Sequence, residues 1–225
     1  MLNYPDTPQD AQPDFGSQSA AEAILPRVAR VAPLKAAKAL GRAAALVIIL
    51  PSLGSFYVRR IVLGADRALL GSSQALSLVP GVLGQYTRTA FFRCVLARCA
   101  PTVVVEFGTI LSKVGARLDE NVYVGPMCHL GLVHLERDVL VAAGVHIPSG
   151  PMTHGVGDLQ TPIRDQPGVA QCVRIGAGSW IGSAAVVLAD VGPNSVVGSG
   201  AVVTKPIPPA VIAAGVPAAV IRARE

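Results

Sequence analysis

The sequence predicts a mainly β fold in which short strands stack as triangular coils, preceded by a basic, apolar helical region. Three observations predict it. Branched apolar residues recur every six positions through the second half of the 225-residue chain. Gly is abundant, at 23 residues, whereas aromatic residues make up only 4%. Residues 27–105 carry eleven Lys or Arg against one acidic residue. With 51% hydrophobic residues, the chain can bury a sizeable core, and disorder of the whole chain is excluded.

Composition divides the chain into three predicted regions. Residues 1–26 contain four acidic residues, no Lys or Arg, and much Pro, Gln and Ser, which predicts a disordered tail. Residues 27–100 form the basic helical region, and residues 101–225 form the β domain with its C-terminal tail. The four cysteines lack zinc or redox spacing. No metal site is therefore expected, and reduced thiols in a cytoplasm suit them best.

The basic region is predicted to be helical. Residues 34–50 are rich in Ala and Leu, and Pro51 should end or kink that helix. The uncharged run 43–58 is too short to cross a bilayer, and the run 68–87 contains too many Gly, Ser, Gln and Pro residues. Two interpretations remain: an in-plane anchor whose basic residues meet anionic headgroups, or a helical cap on the protein's own core or a subunit. Nucleic-acid binding is not expected, because aromatic residues do not alternate with basic ones.

The six-residue repeat is the most informative pattern. Each repeat opens with an apolar residue that should point inward, followed by a Gly or small residue that should let the backbone turn. Three repeats would form one coil, and coils would stack at a strand spacing of about 4.8 Å. The predicted inward residues are Val105, Leu111, Leu118, Val124, Leu130, Leu135, Val141, Ile147, Ile175, Ile181, Val187, Val191, Val197 and Val203. The absence of hairpin dipeptides such as Asn-Gly argues against an antiparallel sandwich.

The repeat precedes two further stretches: Val-Thr-Lys-Pro-Ile-Pro-Pro at 203–209 and Ala-Ala-Gly-Val-Pro-Ala-Ala-Val-Ile-Arg at 213–222. Together they resemble the hexapeptide-repeat acyltransferases, which include galactoside, maltose and polysaccharide O-acetyltransferases. The resemblance covers about residues 100–225. It implies a left-handed parallel β-helix and a homotrimer with active sites in the clefts between subunits. It also implies transfer of an acyl group from acetyl-CoA, or another acyl-CoA, to a sugar or polysaccharide-precursor acceptor.

The repeat is interrupted between Ile147 and Ile175. In the family, an extended loop of this kind carries a catalytic histidine, and His154 is the matching residue. An imidazole, with an unperturbed pKa of about 6.5, suits a general base, which typically contributes ~10²–10⁴-fold to the rate. This sequence departs from the sugar acetyltransferases, because Pro151 occupies the position where their histidine stands. The resemblance places the donor to the oxyanion at the backbone amide of Ser183.

The resemblance also implies a coenzyme A site. It places Trp180 near the pantetheine arm, Thr204 and Lys205 at the phosphate or adenine end, Gly215 and Pro217 along the pantetheine, and Arg222 as a second cation. Ala219 stands where the family often has another basic residue, which predicts weaker cofactor affinity or an acyl donor bound to a carrier protein.

Several of these residues have a structural alternative. Trp180 could pack at a subunit contact, and Lys205 and Arg222 could be solvated surface charges. The remaining histidines, His129, His134 and His146, are interpreted as corner or surface residues. Cys172 is interpreted as a buried thiol. The Gly-x-Gly pairs at 176–178 and 198–200 are interpreted as repeat corners, since no βαβ unit surrounds them.

Two classes of function remain open at this stage. The first is the acyltransferase, with His154 as general base. The second is a non-catalytic trimeric β-helix that acts as a scaffold or a membrane-associated assembly protein. The sequence leaves open the acceptor, the choice between hydroxyl and amine, and the length of the acyl chain. It predicts a cytoplasmic location, with peripheral attachment to the inner face of the membrane as an alternative.

Overall fold

The computed structural model describes residue 41 and residues 43–224. The predicted tail at 1–26 and the start of the basic region lie outside the described residues. From Arg98 onward the chain winds through six coils that place successive strands in three parallel sheets, as the sequence predicts. We call the sheets A, B and C in the order in which each coil visits them.

Each coil contributes a short strand to each sheet, with two exceptions in sheet A and one in sheet C, to which the sixth coil adds no strand. The first three coils contain β1 Arg98–Cys99, β2 Val104–Val105, β3 Ile110–Leu111, β4 Arg117–Leu118, β5 Tyr123–Val124, β6 His129–Leu130, β7 Val133–Leu135, β8 Leu140–Val141 and β9 His146–Ile147. The fourth to sixth coils contain β10 Val173–Ile175, β11 Trp180–Ile181, β12 Val186–Val187, β13 Val196–Val197, β14 Val202–Val203 and β15 Val211–Ala214. In sheet A, single bridges at Val191 and Ile207 replace the last two strands. The final strand, β16 Ala219–Ala223, turns back and pairs antiparallel with β15.

The predicted core is confirmed. All fourteen predicted inward residues are buried, and the most accessible of them, Val191, is only 2% exposed. Residues of one sheet stack directly on their equivalents in the next coil, as Val124 does on Val141. Since no coil could bury its apolar face alone, the stack forms one continuous core.

All departures from the six-residue step occur at one corner of the triangle. The steps from sheet A to sheet B and from sheet B to sheet C are always six residues. The step from sheet C to sheet A varies. It is longer than six residues at Leu111–Leu118, shorter than six at Leu130–Leu135 and at Val187–Val191, and 28 residues at Ile147–Ile175. This corner, which we call the variable corner, accepts insertions because the inward residues on both sides keep their register.

The glycines that follow the inward residues serve a different purpose from the predicted one. Added Cβ atoms at Gly176, Gly182 and Gly192 would lie 2.4–2.5 Å from backbone nitrogens of the next coil. Their backbones do not have positive φ; that conformation occurs two residues later, for example at Gly178 and Ala184. The prediction that these glycines permit the turn is therefore wrong. They permit close stacking of the coils, and the turn itself tolerates residues other than Gly.

Among the described residues, 43–48 are helical, and three further helices precede the β-helix: α1 Leu50–Leu63, α2 Ala65–Ser77 and α3 Gly81–Val95. Pro51 lies in the first turn of α1, where its missing N–H costs no helical hydrogen bond. The first strand begins at Arg98, slightly before the predicted domain boundary. Within the described residues, none of the helices is both long and apolar enough to cross a membrane.

Helices α2 and α3 close the open edge of the first coil. An edge strand has backbone groups that lack a partner in the sheet, and here helix residues supply the partners. Helix α2 supplies three acceptors: the Ser73 hydroxyl for the Leu111 amide (2.9 Å), the Asp66 carboxylate for the Val114 amide (3.0 Å), and the Ser77 carbonyl for the Gly108 amide (2.9 Å). Helix α3 supplies one donor, the Thr89 hydroxyl, which bonds to the Val103 carbonyl (3.0 Å). The helices thus complete the β-helix at its N-terminal end.

Arg88 connects the helices to the first coil through a fully buried side chain. Its Nε donates to the carbonyl of Val105 (2.9 Å), and its Nη1 donates to the carbonyls of Leu76 (3.1 Å) and Val79 (2.7 Å). Burial lowers the pKa of this guanidinium, while the charge of Glu106 acts in the opposite direction. A buried cation on α3 therefore holds together the C-terminal end of α2, the α2–α3 connection and the end of β2.

The close stacking at the corners predicts that Gly192→Ala destabilises the fold. Its Cβ would lie 2.5 Å from the nitrogen of Pro209 and 2.7 Å from the carbonyl carbon of Pro208, both backbone atoms. Overpacking of this kind costs about 3 kcal/mol, which urea denaturation would measure. The control is Gly157→Ala, where the added Cβ meets no atom within 4 Å. Equal unfolding free energies for the two variants would contradict this account of the glycines.

Candidate functional site

The long insertion at the variable corner forms a loop with two paired arms. Between β9 and β10, residues 148–172 leave the coil and return to it. The amide of Val169 donates to the carbonyl of Met152 (2.7 Å), and that of Gln171 donates to the carbonyl of Ser149 (2.8 Å). His154 lies immediately beyond these paired arms and is exposed. The loop therefore presents its one imidazole to the outside of the β-helix.

Ser149 anchors the base of the loop. Its side chain is buried, and its hydroxyl accepts a hydrogen bond from the amide of Leu132 (2.9 Å). A Cβ at Gly131 would lie 2.6 Å from that hydroxyl and 2.8 Å from the Ser149 amide. Gly131 is thus required for the loop to start close against the coil below.

Gln166 holds the tip of the loop together. This buried side chain donates to the carbonyls of Asp158 (2.6 Å) and Thr161 (2.8 Å) and accepts from the Asp158 amide (3.2 Å). Hydrogen bonds from the Thr161 hydroxyl and the Gln160 amide lower the pKa of Asp158. The sequence analysis missed Gln166, because a single Gln in a polar loop carries no periodic signal.

Ser183 lies in the corner between sheets B and C, in the turn 182–185 of the fourth coil. Ala184 has positive φ, and the Ala185 amide bonds to the carbonyl of Gly182 (3.3 Å). Such a turn directs the amide of its second residue away from the turn. No hydrogen bond among the described residues uses the Ser183 amide. Among the described residues, the equivalent amides at positions 107, 143 and 199 also donate no hydrogen bond, so the repeat creates a column of donors.

Trp180 faces outward from sheet B. Its side chain is 48% exposed and stands between Leu140 and Val196 in the outward column of that sheet. Arg222 continues the column two strands beyond Val196, through Ile212, and is exposed. The structure thus places Trp180 and Arg222 on the same exposed face of sheet B.

The remaining residues predicted to bind coenzyme A lie at two different corners of the coil. Thr204 and Lys205 follow β14 at the variable corner and are exposed. Gly215, with φ of +101°, and Pro217, which follows a cis peptide bond, lie at the same corner as Ser183. Sheet C separates the two corners. Among the described residues, no hydrogen bond joins the His154 loop to the Ser183 corner.

The other histidines are on strands. His129 and His146 stack on the outward face of sheet C with ring centroids 6.1 Å apart, and His134 lies on sheet A, 3.0 Å from Asp119. Burial, and to a smaller extent His146, lowers the pKa of His129. In the described part of the chain, no three His, Cys, Asp or Glu residues cluster in a way that could hold a metal ion.

The interpretation of Cys172 as a buried thiol is wrong. Cys172 is exposed on the returning arm of the loop. It directly precedes Val173, whose side chain points into the core, and alternation along a strand therefore turns residue 172 outward. Partial desolvation and the charge of Asp190 raise the pKa of its thiol, which disfavours the reactive thiolate.

The contacts of Gln166 predict that Gln166→Ala loosens the tip of the loop. Three hydrogen bonds would be lost from a buried group, so the backbone at 158–166 should open more often. Limited proteolysis within this segment should be at least tenfold faster. The exposed neighbour Gln160→Ala serves as the control. Equal cleavage rates for the wild type and Gln166→Ala would show that the tip is held by other contacts.

Comparison with known proteins relates this structure to sugar acetyltransferases. No protein-family model matches the chain. Galactoside O-acetyltransferase of Escherichia coli (strain K12) is 56% identical over 52 residues, which cover 22% of this chain and 26% of that protein. The chain matches about a quarter of the length of its curated relatives.

Solved structures extend the likeness in fold. A maltose O-acetyltransferase of Clostridium difficile 630 superposes with a TM-score of 0.60 at 22% identity, over 71% of this chain and 88% of that one. A galactoside acetyltransferase in complex with coenzyme A gives a TM-score of 0.56 at 23% identity, over 76% and 83%. The chain therefore shares with these sugar acetyltransferases the left-handed β-helix of the hexapeptide-repeat acyltransferases, and the resemblance predicted from its repeat is confirmed.

Proposed function

We propose that the protein is an acyltransferase that moves an acyl group, most simply acetyl, from coenzyme A to a sugar or polysaccharide-precursor acceptor. The observation that carries the proposal is the position of His154. It is exposed at the end of the paired arms of the long loop, beside a scaffold shared with sugar acetyltransferases. A rigid stack with one inserted loop is a favourable arrangement for holding a general base.

In the proposed reaction, His154 accepts the proton of the acceptor hydroxyl as the hydroxyl oxygen attacks the thioester carbonyl. The carbon–oxygen bond forms, the carbon–sulfur bond breaks, and the proton passes to the departing thiolate. The products are the acyl ester of the acceptor and free coenzyme A. The amide of Ser183 donates to the carbonyl oxygen as negative charge develops there, and the absence of another partner for it among the described residues supports this role.

The groups required to hold coenzyme A are accessible. Lys205 and Arg222 are exposed cations suited to the phosphates, and Thr204 precedes Lys205 at the same corner. The exposed ring of Trp180 offers an apolar surface to the pantetheine arm, and the turn at Gly215 and Pro217 lies along the Ser183 corner. Coenzyme A supplies an activated thioester; these residues bind and orient it.

The division of the site between two corners supports a composite site in a homotrimer. His154 extends from the variable corner, whereas Ser183 lies at the opposite end of sheet C, and no described hydrogen bond connects them. The loop of one subunit would therefore bring its imidazole to the Ser183 corner of the next. The apolar side chains of Val156, Leu159 and Ile163 on this loop are exposed, which suits such a contact.

The acceptor class can be tested directly. Thiol release from acetyl-CoA should be measured with sugar hydroxyls and with amino sugars, since both nucleophiles would use the same base. The competing hypothesis, a non-catalytic scaffold, requires neither release of thiol with any acceptor nor binding of coenzyme A. A cytoplasmic location, where acetyl-CoA is available, is part of the proposal.

His154→Ala is expected to lower kcat at least a hundredfold, because the acceptor hydroxyl would lose its base. The midpoint temperature of thermal unfolding should be unchanged, since the His154 side chain is exposed. His134→Ala is the matched control, because that histidine contacts Asp119 on sheet A and lies outside the proposed site. A rate for His154→Ala equal to that of the wild type would remove His154 from the mechanism.

Ser183→Pro tests the proposed amide donor, because proline lacks the N–H but suits the second position of this turn. Pro126 already occupies the equivalent position in the second coil, where Met127 has the same positive φ as Ala184. We expect a loss of about 10²–10³ in kcat with little loss of stability. The control is Ser199→Pro, one coil further on. If both proline variants retain full activity, the Ser183 amide is not the donor.

A further inference from the structure

The outer face of α1 is more apolar than its inner face. Toward the protein, the helix turns the buried Phe56 together with Ser52, Leu53 and Arg59, which are partly accessible. Away from the protein it presents a stripe of apolar side chains at helical spacing. The stripe and its flanks consist of Leu50, Tyr57, Val58, Ile61 and Val62, and exposure reaches 86% at Ile61. A helix that packs on a globular core normally shows the reverse pattern.

Contacts on the inner face of α1 fix this orientation. Arg59 donates to the hydroxyl of Ser72 on α2 (2.7 Å), and a Cβ at Gly71 would lie 2.6 Å from its guanidinium. Phe56 packs edge-on against Phe91 of α3, with ring centroids 5.9 Å apart. A cation is therefore turned inward and bonded there, while Val58, Ile61 and Val62 remain accessible. Rotation of the helix to bury its apolar stripe would break these contacts.

The charge of α1 and of its neighbours in sequence indicates what covers the stripe. Residues 27–65 contain seven Lys or Arg and no Asp or Glu. Arg60 flanks the stripe, Arg67 follows in the first turn of α2, and both are exposed. The carboxylate nearest to α1 in sequence, Asp66, is 3.0 Å from Lys113 and is thus already paired with a cation. A second copy of the same face would bring like charges together, whereas anionic lipid headgroups would neutralise them.

We infer that the outer face of α1 is a membrane-binding surface, which lies in the headgroup region of an anionic bilayer. Val58, Ile61 and their apolar neighbours enter the boundary between headgroups and acyl chains, while Arg60 and Arg67 contact lipid phosphates and carboxylates. Because α2 and α3 join α1 to the first coil, the β-helix would stand on the membrane by its N-terminal end. The inference does not depend on the acyltransferase activity.

Flotation of the full-length protein with vesicles tests this surface. Binding is expected to vesicles that contain phosphatidylserine and not to phosphatidylcholine alone, and high salt should weaken it. The double variant Val58→Ser, Ile61→Ser should lower the partition coefficient at least tenfold, because two exposed apolar groups are lost without a change in charge. Arg60→Gln and Arg67→Gln should each lower it about fivefold at low salt.

Val169→Ser is the matched control, since Val169 is 61% exposed but lies on the loop, remote in sequence from α1. It should bind vesicles as the wild type does. The inference is wrong if the wild-type protein fails to float with anionic vesicles, or if the double variant on α1 floats equally well. It is also wrong if the double variant changes the sedimentation of the lipid-free protein, because the face would then be a contact between copies. None of these measurements requires turnover, so their failure is distinct from failure of the proposed reaction.

Discussion

Closure of the two open ends of the β-helix is the constraint on which the rest of the structure depends. Coils of parallel strands satisfy one another's backbone groups, but the first and last coils each leave an edge exposed. At the C-terminal end, β16 reverses direction and pairs with β15. At the N-terminal end, residues of α2 and α3 supply the missing partners, with the buried Arg88 at the centre. The helices therefore belong to the fold of the β-helix.

The constant length of two corners explains why the long loop is inserted at the third, the variable corner. Two corners always use a six-residue step, since a tight turn must fit between stacked coils whose backbones nearly touch. The variable corner is free of this restriction, and its step changes between coils while the buried residues keep their register. A loop of any length can be added there at a small cost in closure entropy. The loop that carries His154 and the Thr204–Lys205 pair both lie at this corner.

The repeat was sufficient to predict the core and the parallel coils, because the inward position is defined by the period alone. It could not predict how α1 is oriented, since Arg59 and Phe56 are turned inward by contacts with Ser72 and Phe91 that are remote in sequence. It also could not identify Gln166, whose role depends on a loop conformation without a period. For the same reason the burial of Cys172 was wrongly predicted: its environment follows from the alternation at Val173, which begins only where the loop rejoins the coil.

The proposed site combines backbone amides, which the repeat places at one corner of several coils, with an imidazole, which the inserted loop carries. Outward amides occur at the same corner of several coils, so the scaffold provides a potential oxyanion donor at more than one level. The repeat alone therefore does not determine which amide is used. In the proposed mechanism, that choice would depend on where the loop delivers the imidazole and on the exposed Trp180, three residues before Ser183. Changes in loop length at the variable corner would move the base relative to a fixed column of donors, so one scaffold could acylate acceptors of different size.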